Sequence, residues 1–226
     1  MLRTITKDEL KVILDNHKLW LEDKSNGARA DLSDSDLSDS DLSYSNLSYS
    51  NLRGSDLSGS NLRNSNLSSS NLRNSNLRSS DLSGSDLSGS NLSGSDLRGS
   101  DLSYSNLSGS NLSGSNLRGS DLRGSNLSGS DLRGSNLRGS NLRGSNLSGS
   151  NTDKVYLQIS CIGSRKGMTT YCFDDDIIWC GCYTGNLKDF EKRVKETHKN
   201  NKQYLKEYMG FIKYVKSLKT KKGEIK

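Results

Sequence analysis

From Leu32 to Leu147 a leucine returns every five residues without a miss, 24 times in all. A fixed polar frame surrounds each one. Two residues before the leucine stands Ala30 once and Ser thereafter. One before stand Asp ten times and Asn fourteen, and one after stand Ser fourteen times and Arg ten. A step of five fits neither regular element. At about 100° per residue, an α-helix rotates the leucines by about 140° a step and scatters them round its cylinder. On a flat strand, an odd step sends successive leucines to opposite faces. One interior collects them all only if the chain turns a corner in every pentad. The position two after the leucine supplies that corner: Gly, Asn or Asp fills it in 19 of 24 pentads, and these residues tolerate positive φ. Between corners, alternation turns Leu and the small residue two before it inward and leaves the other three positions to solvent.

A chain that turns a corner in every pentad leaves strand edges and leucines exposed where the pattern starts and stops, so caps are required. Residues 1–29 read as the first cap. Thr6-Lys7-Asp8-Glu9 is a capping box opening a helix, with Leu10, Ile13, Leu14, His17 and Leu21 on one face and Ser25-Asn26-Gly27 as its stop. His17 reads as a packed or half-exposed side chain rather than a ligand, because no second ligand accompanies it. After Asn151 the period ends. Val155–Ile162, Met168–Phe173 and Ile177–Tyr183 read as three short strands, with Asp174-Asp175-Asp176 as a hairpin turn. Asn186 caps a helix to about His198, and a second helix runs about Lys202–Leu218. The domains expected are therefore 1–29, 30–151 and 152–226, the last a small α+β fold.

The pentads closely resemble the pentapeptide-repeat family, whose motif is Ala-(Asp/Asn)-Leu-X-X. Ala30-Asp31-Leu32-Ser33-Asp34 and Ser95-Asp96-Leu97-Arg98-Gly99 show it, and the resemblance covers residues 30–149. It implies a β-solenoid, a right-handed quadrilateral β-helix with four pentads per coil and about six coils, roughly 29 Å long at about 4.8 Å per coil. One departure is systematic: Ser stands where the family prefers Ala. A buried hydroxyl costs about 1–3 kcal/mol unless hydrogen-bonded, so these hydroxyls are expected on backbone carbonyls or on the next coil. Residues 152–226 are similar to the carboxy-terminal module of some phage and bacterial members, through Ile162-Gly163-Ser164-Arg165 and Gly181-Cys182-Tyr183.

Charge separates the regions. Residues 30–149 hold 12 Asp and 10 Arg, a net of −2, while residues 150–226 hold 16 basic and 9 acidic groups, a net of +7. Some members of the family act on DNA gyrase by imitating the charge of a duplex. A duplex carries about one charge per 1.7 Å, roughly 17 over this length, so such mimicry is disfavoured here. With twenty residues per coil, the position after Leu forms a column of Ser38, Ser58, Arg78, Arg98, Arg118 and Arg138, with Asp36, Asp56 and Asp96 on the same face. A second column, Ser48 to Ser148, carries no Arg.

No catalytic motif occurs, and no enzyme activity, metal or cofactor is expected. Cys161, Cys172, Cys180 and Cys182 lack the paired spacing of a zinc site, and Cys180 and Cys182 are expected to share a strand face. Arg165 and Lys166 stand in a loop from Gly163 to Gly167, read as a hairpin rather than a phosphate cradle. The sequence contains no run of about 18 apolar residues, and charges interrupt the first 25 residues, so a cytoplasmic protein, in the host if phage-encoded, is expected. The leading expectation is a non-enzymatic scaffold that binds a protein partner through its solenoid faces. The rival is weak, non-specific nucleic-acid binding by the basic carboxy-terminal helices. Candidate contact residues are Arg78, Arg98, Arg118, Arg138, Arg165, Lys166, Lys192 and Arg193.

Overall fold

The computed structural model describes residues 1–160, 162–163 and 167–224, with side chains as far as residue 219. It falls into two compact units, Met1–Asp153 and Lys154–Lys226.

The first unit begins with β1 (Arg3–Thr4), α1 (Lys7–Glu22) and β2 (Ser35–Asp36), with β1 and β2 paired in parallel. Parallel bridges then join each residue before a leucine to the residue twenty places on, from Asp31↔Asn51 to Asp131↔Asn151. Four pentads therefore make one turn of the chain. The corner chemistry follows the glycine pattern, since all 24 corner residues from Asp34 to Gly149 have φ between +50° and +72°. From Leu37 to Leu147 each Leu carbonyl accepts the N–H three residues on, as Leu97 does from Ser100 at 3.1 Å. That bond, with positive φ at the third residue, has the form of a type II turn.

The ladder between turns is equally regular. Leu97 N–H donates to the Asn116 carbonyl at 2.8 Å, Gly99 N–H to the Arg118 carbonyl at 3.1 Å, and Asn116 N–H to the Ser95 carbonyl at 2.9 Å. Leu and Ser turn inward together: Leu97 is 0% and Ser95 1% exposed. The serine hydroxyls bond to backbone within their own coil, as Ser100 Oγ donates to the Leu97 carbonyl at 2.7 Å. That carbonyl thus takes both the amide and the hydroxyl of one serine, which offsets the desolvation of the hydroxyl. Ser50 is an exception, with a buried Oγ that has no partner.

Thr6 caps α1 through the box with Glu9. The helix ends at Glu22, ahead of the Ser25–Gly27 stop, because Asp23 already adopts an extended conformation. Gly27 then turns the chain back so that Ala28 N–H reaches the Asn16 carbonyl at 3.2 Å. A Cβ at Gly27 would stand 2.2 Å from the Asn16 carbonyl oxygen, and φ there is +67°, so only glycine fits. His17 is fully buried. Its Nδ1 accepts the Ala30 N–H at 3.1 Å, so the proton of the neutral ring sits on Nε2 and is donated to the Ser48 carbonyl at 3.0 Å. One imidazole thereby ties α1 to the first coil at two points.

The second unit is an antiparallel sheet of β3 (Tyr156–Ile159), β4 (Thr169–Cys172), β5 (Ile177–Cys180) and β6 (Tyr183–Gly185), in that order, followed by α2 (Leu187–Thr197) and α3 (Lys202–Glu224). Four strands replace the three expected. Gly181, at φ +57°, and Cys182 form a turn that splits the third. Cys180 and Cys182 therefore do not share a face: Cys180 is buried and Cys182 exposed. α3 also runs past Leu218. The core of this unit is aromatic and aliphatic, built on Tyr171, Ile178, Phe190, Phe211, Ile212 and Val215.

Candidate interaction surfaces

Because residues twenty apart stack, the outward side chains of the solenoid form four faces. Each takes the name of its first leucine: Leu32, Leu37, Leu42 and Leu47. The carboxylate or amide before each leucine turns back onto its own pentad. Asp101 Oδ1 accepts the Ser103 N–H at 2.9 Å, and Asn106 Oδ1 the Ser108 N–H at 3.2 Å. Some of the asparagines also bond across coils, as Asn76 Nδ2 does to Asp56 Oδ1 at 3.0 Å and Asn106 Nδ2 to Asp86 Oδ1 at 3.1 Å.

These contacts set which arginines are free. Where Asp precedes the leucine, the arginine after it folds back: Arg98–Asp96 at 2.5 Å, Arg123–Asp121 at 2.6 Å and Arg133–Asp131 at 2.6 Å. The Arg133 guanidinium holds Asp131 down to about 2, and Arg98 lowers Asp96 in the same way. Where Asn precedes, no acid lies within the pentad. Arg78, Arg118 and Arg138 are such cases, and all three are exposed. The Leu37 face thus carries all four arginines of the expected column, with Arg98 already neutralised by Asp96. The Leu47 face carries Ser48 to Ser148 and one acid, Asp86.

Tyrosine at corners is a feature that sequence reasoning passed over. Tyr44 and Tyr104 are 74% and 71% exposed, at φ +58° and +59°. A bulky side chain is seldom found there. The ring of Tyr104 lies over Gly124 of the next coil, where a Cβ would meet it at 2.7 Å. Tyr49 is used locally: Trp20 packs edge-on to it at 6.4 Å, and the Lys24 ammonium lies 3.5 Å above the Trp20 ring.

The family model for pentapeptide repeats matches residues 28–59, 55–94, 80–119 and 115–151, more than half of the chain. The chain belongs to the pentapeptide-repeat family. Its fold is accordingly a right-handed β-helix solenoid, to which the bridges between residues twenty apart correspond. Among solved pentapeptide-repeat proteins, Rfr23 from the cyanobacterium Cyanothece 51142 is 36% identical over 46% of this chain and 60% of its own, with a TM-score of 0.21. A thylakoid-lumen member from Arabidopsis thaliana is 29% identical over 51% of this chain and 63% of its own, with a TM-score of 0.24. QnrB1, a plasmid-mediated fluoroquinolone resistance protein, is 20% identical over 54% of this chain and 84% of its own, with a TM-score of 0.29. The chain spans less than two thirds of the length of the first two. No curated protein matches it.

Residues 152–226 lie beyond the pentapeptide-repeat match. Arg165 and Lys166, with Cys161, lie outside the described residues. At the start of their loop, Gly163 N–H donates to Glu207 Oε2 at 2.7 Å, so a carboxylate already takes the place an anion would take on that amide. Lys192 and Arg193 are exposed on α2, and Arg193 lies 5.9 Å from the Tyr183 ring. Arg193 also borders a cavity of about 130 Å³ with Cys180, Cys182, Tyr183, His198 and Tyr208, where the last two rings stack at 5.2 Å. Burial pushes the Cys180 thiol up, away from a reactive thiolate. Among the described residues no three His, Cys, Asp or Glu side chains gather as metal ligands. None of the described helices is long and apolar enough to cross a membrane.

Proposed function

We propose that the chain is a non-enzymatic scaffold in which six coils, closed at one end by α1 and His17, hold binding groups on rigid faces for a protein partner. The observation that carries this reading is the arrangement of the pentad. Backbone ladder and Leu–Ser interior use two of five positions, and every outward group is held in a row by the ladder bonds described above. Such preorganisation lowers the entropy lost on binding. The Leu47 face, nearly uncharged, suits a partner held by contact and hydrogen bonds, whereas the Leu37 face suits one selected by charge.

The test places a photo-crosslinking residue at position 108 on the Leu47 face and at position 118 on the Leu37 face, in the intact chain inside its native cell. A discrete adduct with one protein from one face supports the scaffold. No adduct from either position overturns it.

A second reading has one specific observation behind it. On α2, Lys188, Lys192 and Lys195 lie along the side opposite the buried Leu187, Phe190 and Val194, although Lys195 is engaged by Glu191 at 2.7 Å. Weak nucleic-acid binding there would fall steeply between about 50 and 200 mM salt. Filter binding that is unchanged by removal of residues 152–226 would exclude it.

A further inference from the structure

The Leu37 face has a charge order that the other three lack. From the first coil to the sixth, its outward groups before and after leucine are Asp36 and Ser38, Asp56 and Ser58, Asn76 and Arg78, Asp96 and Arg98, Asn116 and Arg118, and Asn136 and Arg138. Acid stands at one end, an internally neutral pair in the middle, and free guanidinium at the other end.

Turn this face over end for end, and first coil meets sixth, second meets fifth, third meets fourth. Asp36 then stands across from Arg138 and Asp56 from Arg118, while at the centre Arg78 faces Arg98, with Asp96 two residues to its side. Asp96 already feels Arg78 within its own chain. We propose that the Leu37 face docks a second copy of this chain, antiparallel, about a two-fold axis running along the strands.

Three physical points support this pairing. First, a ladder of charges at the coil spacing of about 4.8 Å matches few other surfaces; a second copy of the same solenoid has that spacing by construction. Second, the axis leaves each arginine two residues to the side of its carboxylate, and Arg98 spans that offset within its own pentad, with Nε 2.8 Å from Asp96 Oδ1. Third, the contact is isologous, so it closes at two copies rather than growing into a fibre. Arg3 of β1 falls beyond the paired coils.

The same operation fails on the other faces. On the Leu42 face it would bring Asp41 across from Arg143, but Asp121 is already held by Arg123 and the centre would set Asp81 against Asp101, two acids without an arginine after them. On the Leu32 face Arg53 and Arg73 would meet Asn111 and Asn91, and the Leu47 face has a single charge. The strip is narrow, far under the roughly 800 Å² per partner of a stable interface, and exposed ion pairs are individually weak. The dimer is accordingly transient and salt-sensitive. It does not rest on the partner-binding reading above.

Sedimentation of the full chain from about 10 µM to about 1 mM tests it. At low salt the wild type should pass from monomer to dimer, and the midpoint should rise at least tenfold between about 50 and 500 mM salt. R118D/R138D and D36R/D56R, each confirmed as folded by circular dichroism, should be monomeric alone. Mixed in equal amounts they should form a heterodimer, because the altered rows are complementary in the antiparallel register. A wild type that is monomeric throughout, a dimer that either variant leaves intact, or a mixture that stays monomeric would each overturn the proposal.

Discussion

The two units of this chain specify structure in opposite ways. In residues 30–151 a residue's environment follows from its place in the pentad. Leu97 and Leu52 are equally buried, Gly99 and Gly54 have φ of +67° and +68°, and nothing distant in sequence is needed to say so. In the second unit each core residue depends on a partner reached by a different route. Phe190 of α2 meets Tyr208 of α3 edge-on at 5.8 Å and Tyr183 of β6 at 5.2 Å. A repeat is a sum of near-identical neighbour interactions, so damage at one coil is local in kind but repeated in opportunity. The α+β unit has one core, and each aromatic in it occurs once.

The largest effect should come from opening both cores. Leu97→Ala is expected to lower the stability of the solenoid by about 2–5 kcal/mol, and Phe190→Ala that of the second unit by about 3–5 kcal/mol. Denaturant melts followed by the two tryptophans, Trp20 in the first unit and Trp179 in the second, should show each substitution moving one transition. A single shared transition displaced by both would mean that the units do not unfold separately.

Acid should distinguish the units next, through His17. Burial is the first cause that lowers its pKa from 6.5, and Lys24 and Arg29 add to it. In the unfolded chain the ring takes up a proton near about 6.5, whereas in the fold it does so only at lower pH. Unfolding therefore binds a proton in that window, and stability falls as pH falls. The contribution is complete above about pH 6.5 and declines below it. Protonation would also set an N–H of Nδ1 against the Ala30 N–H. Exchange of the Ala30 amide should accelerate as pH drops from 7 to 5, relative to Leu97, once the intrinsic pH dependence is removed. A His17→Gln chain should lose that pH dependence. Equal behaviour of the two chains would remove the imidazole from this role.

How far the sequence was legible follows the same divide. The corners were legible because glycine, Asn and Asp mark positive φ. The inward pairing of Leu with Ser was legible because alternation is geometric. Four pentads per turn was not contained in the period of five; it entered through the family resemblance, and the bridges from Asp31↔Asn51 onward show it. The role of His17 was hidden because Ala30 and Ser48 are distant in sequence and offer only backbone atoms. Tyr104 was hidden because it goes against the preference of its position. In the second unit the split between Cys180 and Cys182 rests on Gly181 alone, and a lone glycine inside a β-rich run does not by itself mark a turn. Of the candidate contact residues, the Arg78–Arg138 column follows from the spacing alone, but which of its members are free depends on Asp or Asn two residues earlier.

Backbone conformation gives a smaller and sharper contrast. Gly109 has φ +63°, and a Cβ there would meet nothing within 4 Å, so Gly109→Ala should cost only the left-handed penalty, about 1–2 kcal/mol. Gly27→Ala meets a backbone oxygen that cannot swing aside and should cost more. Thermal melts that rank the two in the reverse order would mean that the turn at Gly27 relaxes freely.

The smallest expected effect concerns the serines and asks whether the regular interior is as uniform as its sequence. Ser100 Oγ donates to the Leu97 carbonyl at 2.7 Å, while that carbonyl keeps the Ser100 amide as a second donor. Ser100→Ala therefore removes one hydrogen bond without stranding its acceptor. A cost of about 0.5–1.5 kcal/mol is expected, the net value of a typical internal bond. Ser50 occupies the equivalent place beside Leu47, 1% exposed, yet its hydroxyl has no partner. Its desolvation is offset by nothing, so Ser50→Ala should leave stability unchanged or raise it. Urea melts of the two variants side by side measure the difference directly. If both lose the same amount, the Ser50 hydroxyl has found a water or a carbonyl. If neither loses any, the hydroxyl bonds merely replace those made with water, and the solenoid is held by leucine and the ladder alone.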